Sequence, residues 1–431
     1  MRSGILIDGD TIEIGGWVAN IRDLGSLRFI LIRDNEGLLQ ITLDRKLVEQ
    51  KLFKLTDQLT NESVIKVKGI VKADSRAPGG FEIIPSSIEI ISKADTPLPL
   101  DTSGKIESSM DVSLNWRCLS LRIPKNQAIF KIQASLVRGM QDYLNRNGFL
   151  NVFTPCLMGV ASETGAEVFQ VLYFDREAYL RQDPQLHRQL AILSGFEKIY
   201  ELGPSFRADP SDTPRHLCEY RSCAVEMAWI NDERDTMRVE TELIVSAIKR
   251  VIEECQKELD MLGVHIEVPK TPFPEIKFPE VYEILSEYGK IIPWGEDYDR
   301  ESEKILWQYV KEKYDNDFFF VNRFPFRVKP FYVMRVEEDP QWARSVDLIY
   351  KGLELSSGGQ REHRYENLLR NIREKGMDEN NLKWFTKFFR FGAPPHGGFA
   401  IGIERLTMQL LGLKNIREAT LFPRDMKRLL P

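Results

Sequence analysis

Four stretches hold side chains whose types and spacing could do chemistry. The sharpest is "SVDLIYKGLELSSGGQREHR", residues 345–364. With Lys351-Gly352 as the turn of a hairpin, Tyr350 faces Leu353 and Ile349 faces Glu354. Asp347 then shares a face with Glu354, roughly 7 Å away on the diagonal. Two carboxylates so placed repel one another unless a cation lies between them, and Mg²⁺ with oxygen ligands is the natural candidate; an Asp that caps a turn is the other reading. In "LGPSFRADPSDTPRHLCEYRSCAVEMAW", residues 202–229, Arg207, Arg215 and His216 surround a polar loop between two strand-like runs. Guanidinium groups bind phosphate bidentately, so the cluster suits a polyphosphate, although a solvated loop would read alike. "PPHGGFAIGIERLTMQLLG" sets Gly397, Gly398 and Gly402 before an amphipathic helix with Arg405 in its first turn. Glycine lets backbone approach a ligand closely. Finally, "RQDPQLHRQL" holds Asp183 between two glutamines, with His187 and Arg188 just beyond. That carboxylate needs a cation.

The elements that must position these groups follow from periodicity. Up to residue 97 the chain reads as short alternating runs: "EIGGWVANI", "RFILIRD", "LLQITLD", "SVIKVKGIV" and "FEIIPSSIEII". Five strands in about 95 residues is the pattern of a small β-barrel, with the OB-fold the best known at this size. In its "DNEG" hairpin Arg33 pairs with Leu38. Ile30, Ile32, Leu39 and Ile41 then face inward, and Phe29, Leu31, Gln40 and Thr42 share the other face. A ring diagonal to an amide offers one unstacked base a surface to stack on and an edge reader. "ADTPLPLDTSG" has two prolines and no apolar period, so residues 98–125 read as a hinge or linker. Residues 126–431 alternate helical and strand-like patterns as one larger α+β domain.

Composition bounds the rest. The 431 residues are 42% hydrophobic and 29% charged, enough for a large core and two or three domains. The opening "MRSGILIDGD" lacks the flank and apolar run of a signal peptide, and no apolar run approaches the ~20 residues that span a bilayer. The five cysteines form no CxxC pair, which suits reduced thiols in a cytoplasm. A net charge of −5 argues against wholesale coating of nucleic acid but not against a local contact.

Taken together and in order, "RNGFLNVFTP" with Pro155, "FRADPSDTPRH…E" and "GIERL" resemble the three signature motifs of class II aminoacyl-tRNA synthetases. The N-terminal barrel, "ETGAEVF", "SSGGQREHR" and "LFPRDMKRLLP" narrow the resemblance to the aspartyl/asparaginyl subgroup, closest to its archaeal aspartyl type, over essentially the whole chain. The resemblance implies an α+β architecture: an N-terminal OB-fold β-barrel for the anticodon, residues 1–97, and an antiparallel-sheet catalytic domain. It implies activation of L-aspartate by ATP with Mg²⁺, transfer to tRNA, a homodimer built on the first motif, and a cytoplasmic location with no membrane. Arg207 would hold the α-phosphate and His216 and Arg405 the outer phosphates, with Tyr220 stacking on adenine where the family usually has Phe. Asp209, Arg215, Leu217, Glu354 and Gly402 would complete the ATP site. Asp347, Glu354 and Ser357 would carry the metal. Gln182, Asp183, Gln185, Arg188, Ser357 and Arg361 would hold the amino acid, with Glu163 and Glu167 on a loop closing over it. Phe29 and Gln40 match readers of the central anticodon base.

The chain also departs from the family pattern at further positions. Asp183 stands where Ser is usual, and Arg188 where Lys is usual. Ala224 replaces an Asp that contacts the substrate's ammonium, so Asp183 is expected to take over that counter-charge. Arg361 and Arg188 would then meet the β-carboxylate; the asparaginyl branch usually has an apolar residue at the latter position. Asp209 shortens the usual Glu. Ala19 and Pro78 occupy positions where members that discriminate the third anticodon base carry Trp and Lys, so the expected enzyme charges tRNA(Asp) and tRNA(Asn) alike. Asparaginyl-tRNA synthetase and an inert or repurposed tRNA-binding paralogue remain the alternatives.

Overall fold

The structure is a computed structural model that describes residues 6–160, 167–210 and 213–431. It divides into two compact units, residues 1–127 and 128–431.

In the first unit, β1 (Thr11–Asp23), β2 (Leu27–Arg33), β3 (Leu38–Asp44), β4 (Val64–Ala73) and β5 (Phe81–Ser92) close on themselves in the order β1-β2-β3-β5-β4. This is the OB arrangement read from the alternation. The β2–β3 register pairs Arg33 with Leu38, Leu31 with Gln40 and Phe29 with Thr42. Ile30, Ile32, Leu39 and Ile41 are accordingly buried in one core with Val18, Ile65, Val67 and Ile83. Residues 98–125, which sequence alone marks as irregular, contain two short helices, Met110–Asn115 and Arg117–Ser120.

The second unit is built on an eight-stranded sheet. Its strands are β6 (Leu150–Asn151), β10 (Lys198–Phe206), β11 (Glu219–Ala228), β12 (Glu275–Lys277), β13 (Phe318–Asn322), β14 (Ser345–Tyr350), β15 (Leu353–Arg361) and β16 (His396–Gly402). They lie in the order β12-β13-β14-β15-β16-β11-β10-β6, and only the two edge pairings are parallel. A small second sheet orders β7 (Leu157–Met158), β9 (Arg176–Leu180) and β8 (Gln170–Tyr173) as β7-β9-β8.

Two long helices, Pro124–Arg146 and Glu233–Glu254, pack their apolar stripes on one face of the large sheet. Ile132, Leu136 and Met140 from the first meet Leu243, Ala247 and Val251 from the second in that core. Gly139 sets how close the two helices come: a Cβ there would sit 2.7 Å from the Cα of Ala247. The other face of the sheet remains available for polar groups.

Candidate active site

The site is assembled on the inner strands and on the segment that enters the helix Gln185–Leu193. On β11, Tyr220, Ser222, Ala224 and Glu226 share one face. Tyr220 and Ser222 line one cavity, and Glu226 reaches Arg361 of β15. Ala224, between them, is buried beside its strand partners Glu201 and Ala400 and offers only a methyl group.

The Lys351-Gly352 hairpin forms with Tyr350 opposite Leu353 and Ile349 opposite Glu354. Beyond that, the register shifts by one between Leu348 and Ile349, so Asp347 pairs with Ser357. The shift keeps Asp347, Ser357 and Glu354 on one face while inserting an extra residue.

Gly397 and Gly398 turn out to serve strand packing. A Cβ on Gly398 would sit 1.9 Å from the carbonyl oxygen of Val225 and 2.6 Å from Oε2 of Glu226. Gly402, by contrast, lies on a cavity wall next to Arg405.

Two cavities adjoin. The larger, about 450 Å³, is lined by Glu167, Gln182, Asp183, Gln185, Arg207, Asp209, Lys329, Tyr332, Ser357 and Arg361 among others. The smaller, about 180 Å³, is lined by Arg207, Arg215, His216, Leu217, Tyr220, Glu354, Ser357, Gly402 and Arg405. Asp183, Arg207 and Ser357 belong to both. Apart from Asp347 and Arg188, which line neither cavity, the expected site residues of the catalytic domain that are described line one or both. Glu163 lies outside the described residues.

Charges in the larger cavity are tightly paired. Arg361, almost wholly buried, donates from Nε to Oε1 of Glu226 at 3.0 Å and from Nη2 to Oε1 of Gln185 at 3.1 Å. Gln185 in turn donates to Glu226 at 3.0 Å. Arg188 lies behind the wall and lines neither cavity. It is fully buried and donates from Nη2 to Oδ1 of Asp183 at 2.7 Å and to Oε1 of Gln185 at 2.9 Å. Gln182 donates to the Glu167 carbonyl at 3.0 Å, tying Glu167 to the wall of the larger cavity.

In the smaller cavity, the Arg207 guanidinium stands 5.6 Å from the centre of the Tyr220 ring. Arg405 donates to the Glu354 carbonyl oxygen at 3.2 Å, and its Nη1 lies 3.6 Å from Oε1 of the same residue. The Nδ1 of His216 is 2.6 Å from the Thr213 hydroxyl, with Asp209 Oδ2 3.9 Å from Nε2. Burial, reinforced by the charge of Asp347, pushes the Glu354 carboxyl above the usual carboxylate range.

Three contributors had no sequence signal. Lys329 places Nζ 2.9 Å from Oδ2 of Asp347. Glu226 neutralises Arg361 from a distant strand. Glu404, in the smaller cavity, accepts the Arg221 backbone N–H on both oxygens, at 3.0 and 3.1 Å.

Among the described residues no group of three or more His, Cys, Asp or Glu side chains is placed to hold a metal. Asp347 and Glu354 nonetheless fit a cation that also binds phosphates, because Mg²⁺ is commonly held by one or two carboxylates plus substrate oxygens. Oδ1 of Asp347 is buried and has no partner of its own.

On the first unit, Phe29 and Gln40 stand half-buried on the outer barrel face, where Gln40 donates to Thr42 and Glu82 at 3.2 and 3.3 Å. Ala19 sits at a register shift of β1, and Pro78 opens a short turn before β5. Arg76 is spent on Asp74, at 2.8 Å.

Comparison with known proteins decides what this assembly is. Residues 109–426 match the family described as tRNA synthetases class II (D, K and N), and residues 12–91 match the OB-fold nucleic acid binding domain. The chain belongs to the class II tRNA synthetases. This synthetase is 44% identical over 425 residues to an aspartate–tRNA(Asp) ligase of Pyrococcus furiosus, covering 99% of this chain and 97% of the relative. It is also 44% identical to the aspartate–tRNA(Asp/Asn) ligase of Methanopyrus kandleri, over 98% of this chain and 97% of the relative. Among solved structures, asparaginyl-tRNA synthetase from Pyrococcus horikoshii, complexed with asparaginyl-adenylate, superimposes with a TM-score of 0.92 at 35% identity over the whole of both chains. Aspartyl-tRNA synthetase from Entamoeba histolytica gives 0.87 at 30% identity over 98% of this chain and 90% of that one. The synthetase resemblance read from the motifs, and the pairing of an OB-fold with a class II sheet, both hold.

Proposed function

We propose that this synthetase activates L-aspartate with ATP to aspartyl-adenylate and transfers the aspartyl group to the 3′ end of tRNA(Asp), and of tRNA(Asn) as well. The observation that carries this reading is the junction of the two cavities at Asp183, Arg207 and Ser357, with the Arg361 cation in the amino-acid half.

In the first step a carboxylate oxygen of aspartate attacks the α-phosphorus and the bond to pyrophosphate breaks. In the second, a terminal ribose hydroxyl of the tRNA attacks the acyl carbon and AMP departs. Such transfer depends on alignment and charge neutralisation more than on a protein nucleophile. In this reading Arg207, which lines both cavities, takes the α-phosphate, His216 and Arg405 take the outer phosphates, and Arg215 completes the ATP site. Tyr220 supplies a face for adenine, with Asp209 and Leu217 at its margin and Gly402 leaving room. Arg361 meets the β-carboxylate, and Gln182, Gln185 and Ser357 supply neutral polar contacts. Oδ2 of Asp183 is free for the α-ammonium. Asp347, Glu354 and Ser357 would hold Mg²⁺, which when bound neutralises phosphate charge. In the barrel, Phe29 and Gln40 contact the central anticodon base. Ala19 and Pro78 carry no hydrogen-bond donor or aromatic face, so those two sites give no side-chain contact favouring one third base. A cytoplasmic homodimer fits this role, and among the described residues no helix is long and apolar enough to cross a membrane.

The test is ATP–pyrophosphate exchange with aspartate and asparagine side by side, followed by aminoacylation of both tRNA transcripts. A preference for tRNA(Asp) above roughly a hundredfold, the reach of a base contact worth ~1–3 kcal/mol, would overturn relaxed tRNA choice alone. A second reading, asparagine activation, is favoured by the fold match to an asparaginyl enzyme and by the sequestration of Arg188. Exchange with asparagine alone would establish it.

A further inference from the structure

Arg188 carries a full charge where the sequence led us to expect a second contact for the substrate's side chain. Its surroundings speak against that role. Its side chain is 1% exposed. Nη2 is used twice, on Asp183 and Gln185, while Nε and Nη1 are sealed inside the protein without partners. No substrate carboxylate entering the cavity can reach those two nitrogens as the chain is folded. Asp183 has the opposite character: its side chain is 38% exposed, it lines both cavities, and only Oδ1 is engaged.

The strand opposite explains why such a pair is wanted. The face of β11 that runs from Tyr220 to Glu226 has the methyl group of Ala224 at its centre, and Glu226 is spent on Arg361 and Gln185. Asp183, the carboxylate among the described residues that lines both cavities, is therefore placed to meet a cationic ligand group where they join. An exposed aspartate on a short linker before a helix would otherwise sample several rotamers. A buried guanidinium anchored by Gln185 fixes one of its oxygens and turns the other outward. The geometry points to Arg188 as the positioning residue for Asp183, leaving Arg361 to read the charge of the amino acid's side chain.

This inference rests on the proposed amino-acid activation and deepens it, because it moves Arg188 from side-chain selection to ammonium binding. The two roles give different kinetics. Arg188→Met should raise KM and lower kcat/KM for aspartate and asparagine by the same factor, about 10- to 100-fold, the effect of losing a charge-assisted hydrogen bond. The ratio between the two amino acids should stay within about threefold. Where asparagine exchange is too slow to follow, its constant is taken as a competitive inhibitor of aspartate exchange. Succinate, which keeps both carboxylates but lacks the ammonium, should inhibit wild type and variant equally. Arg188→Lys should recover most of the loss. Asp183→Asn, which preserves shape at a partly exposed position, should give the same parallel loss and covers the case in which the Arg188 variant fails to fold. A fall for aspartate with asparagine unchanged, or weaker succinate inhibition, would overturn the inference and return Arg188 to side-chain reading. Wild-type protein that exchanges with neither amino acid would overturn the proposed function itself, and this inference with it.

Discussion

Lys329 Nζ sits 2.9 Å from Oδ2 of Asp347 and 3.5 Å from the centre of the Phe324 ring, so the lysine is held from both sides. One oxygen of Asp347 is thereby occupied, and the other, Oδ1, is the buried and unpartnered one. Asp347→Asn should therefore weaken the cation site, because it removes one of its two carboxylate charges. We expect the Mg²⁺ concentration for half-maximal ATP–pyrophosphate exchange to rise by at least tenfold, roughly 1.4 kcal/mol, in Asp347→Asn and in Glu354→Gln. tRNA binding should be unchanged. Unaltered Mg²⁺ titrations in both variants would remove these residues from the metal site.

The Arg361–Glu226 pair predicts a separation of stability from activity. Arg361→Gln leaves Glu226 buried without its cation, a loss of about 3–5 kcal/mol for a broken buried pair. Adding Glu226→Gln removes the stranded charge, so the double variant should melt well above the single one. Aspartate exchange should remain lost in both. Recovery of exchange in the double variant would rule out Arg361 as the reader of the β-carboxylate.

Stability should also fall as the pH rises through neutrality. Burial holds the Glu404 carboxyl up to about 7, and Glu240, which accepts from the Ser356 hydroxyl, up to about 8. Both lie above the unfolded carboxylate value, so the fold favours the protonated forms. Their stabilising contribution is complete below about pH 4.5 and is lost on passing about 7 and 8. For Glu404 the loss is on the order of 3 kcal/mol. Thermal melts from pH 5.5 to 8.5 should show Tm falling for wild type and falling less for Glu404→Gln. Parallel curves would exclude Glu404 as a source.

On the barrel, Phe29→Ala removes the proposed stacking surface. Base–aromatic stacking is worth roughly 1–3 kcal/mol, so KM for both tRNAs should rise about ten- to a hundredfold while ATP–pyrophosphate exchange stays at the wild-type rate. An effect on exchange, or none on tRNA, would place the anticodon elsewhere.

What sequence could and could not reveal divides along the range of the interaction. The Lys351-Gly352 turn, the Arg33–Leu38 pairing and the inward face of Ile30, Ile32, Leu39 and Ile41 are local, governed by turn chemistry and alternation. The extra residue between Glu354 and Ser356 left no mark, since a bulge depends on how neighbouring strands accommodate it. Glu226 lies 135 positions from Arg361, and neither local period nor composition connects them. Arg188 read as a ligand because its charge is visible in sequence and its burial is not. Gly397 and Gly398 suggested a ligand approach, where the structure uses Gly397 against the Gly359 carbonyl and Ile230, and Gly398 against the Val225 carbonyl and Glu226.

That last contact has a kinetic consequence. With Gly398 leaving no space for even a methyl group beside Val225, β16 and β11 cannot part without giving up the centre of the sheet. Their amide hydrogens should exchange with solvent only through global opening, among the slowest in the chain. Glu226 and Arg361 ride on that slow-exchanging lattice. On heating, adenylate-forming activity should accordingly persist until the whole unit melts, with no earlier, reversible stage of inactivation.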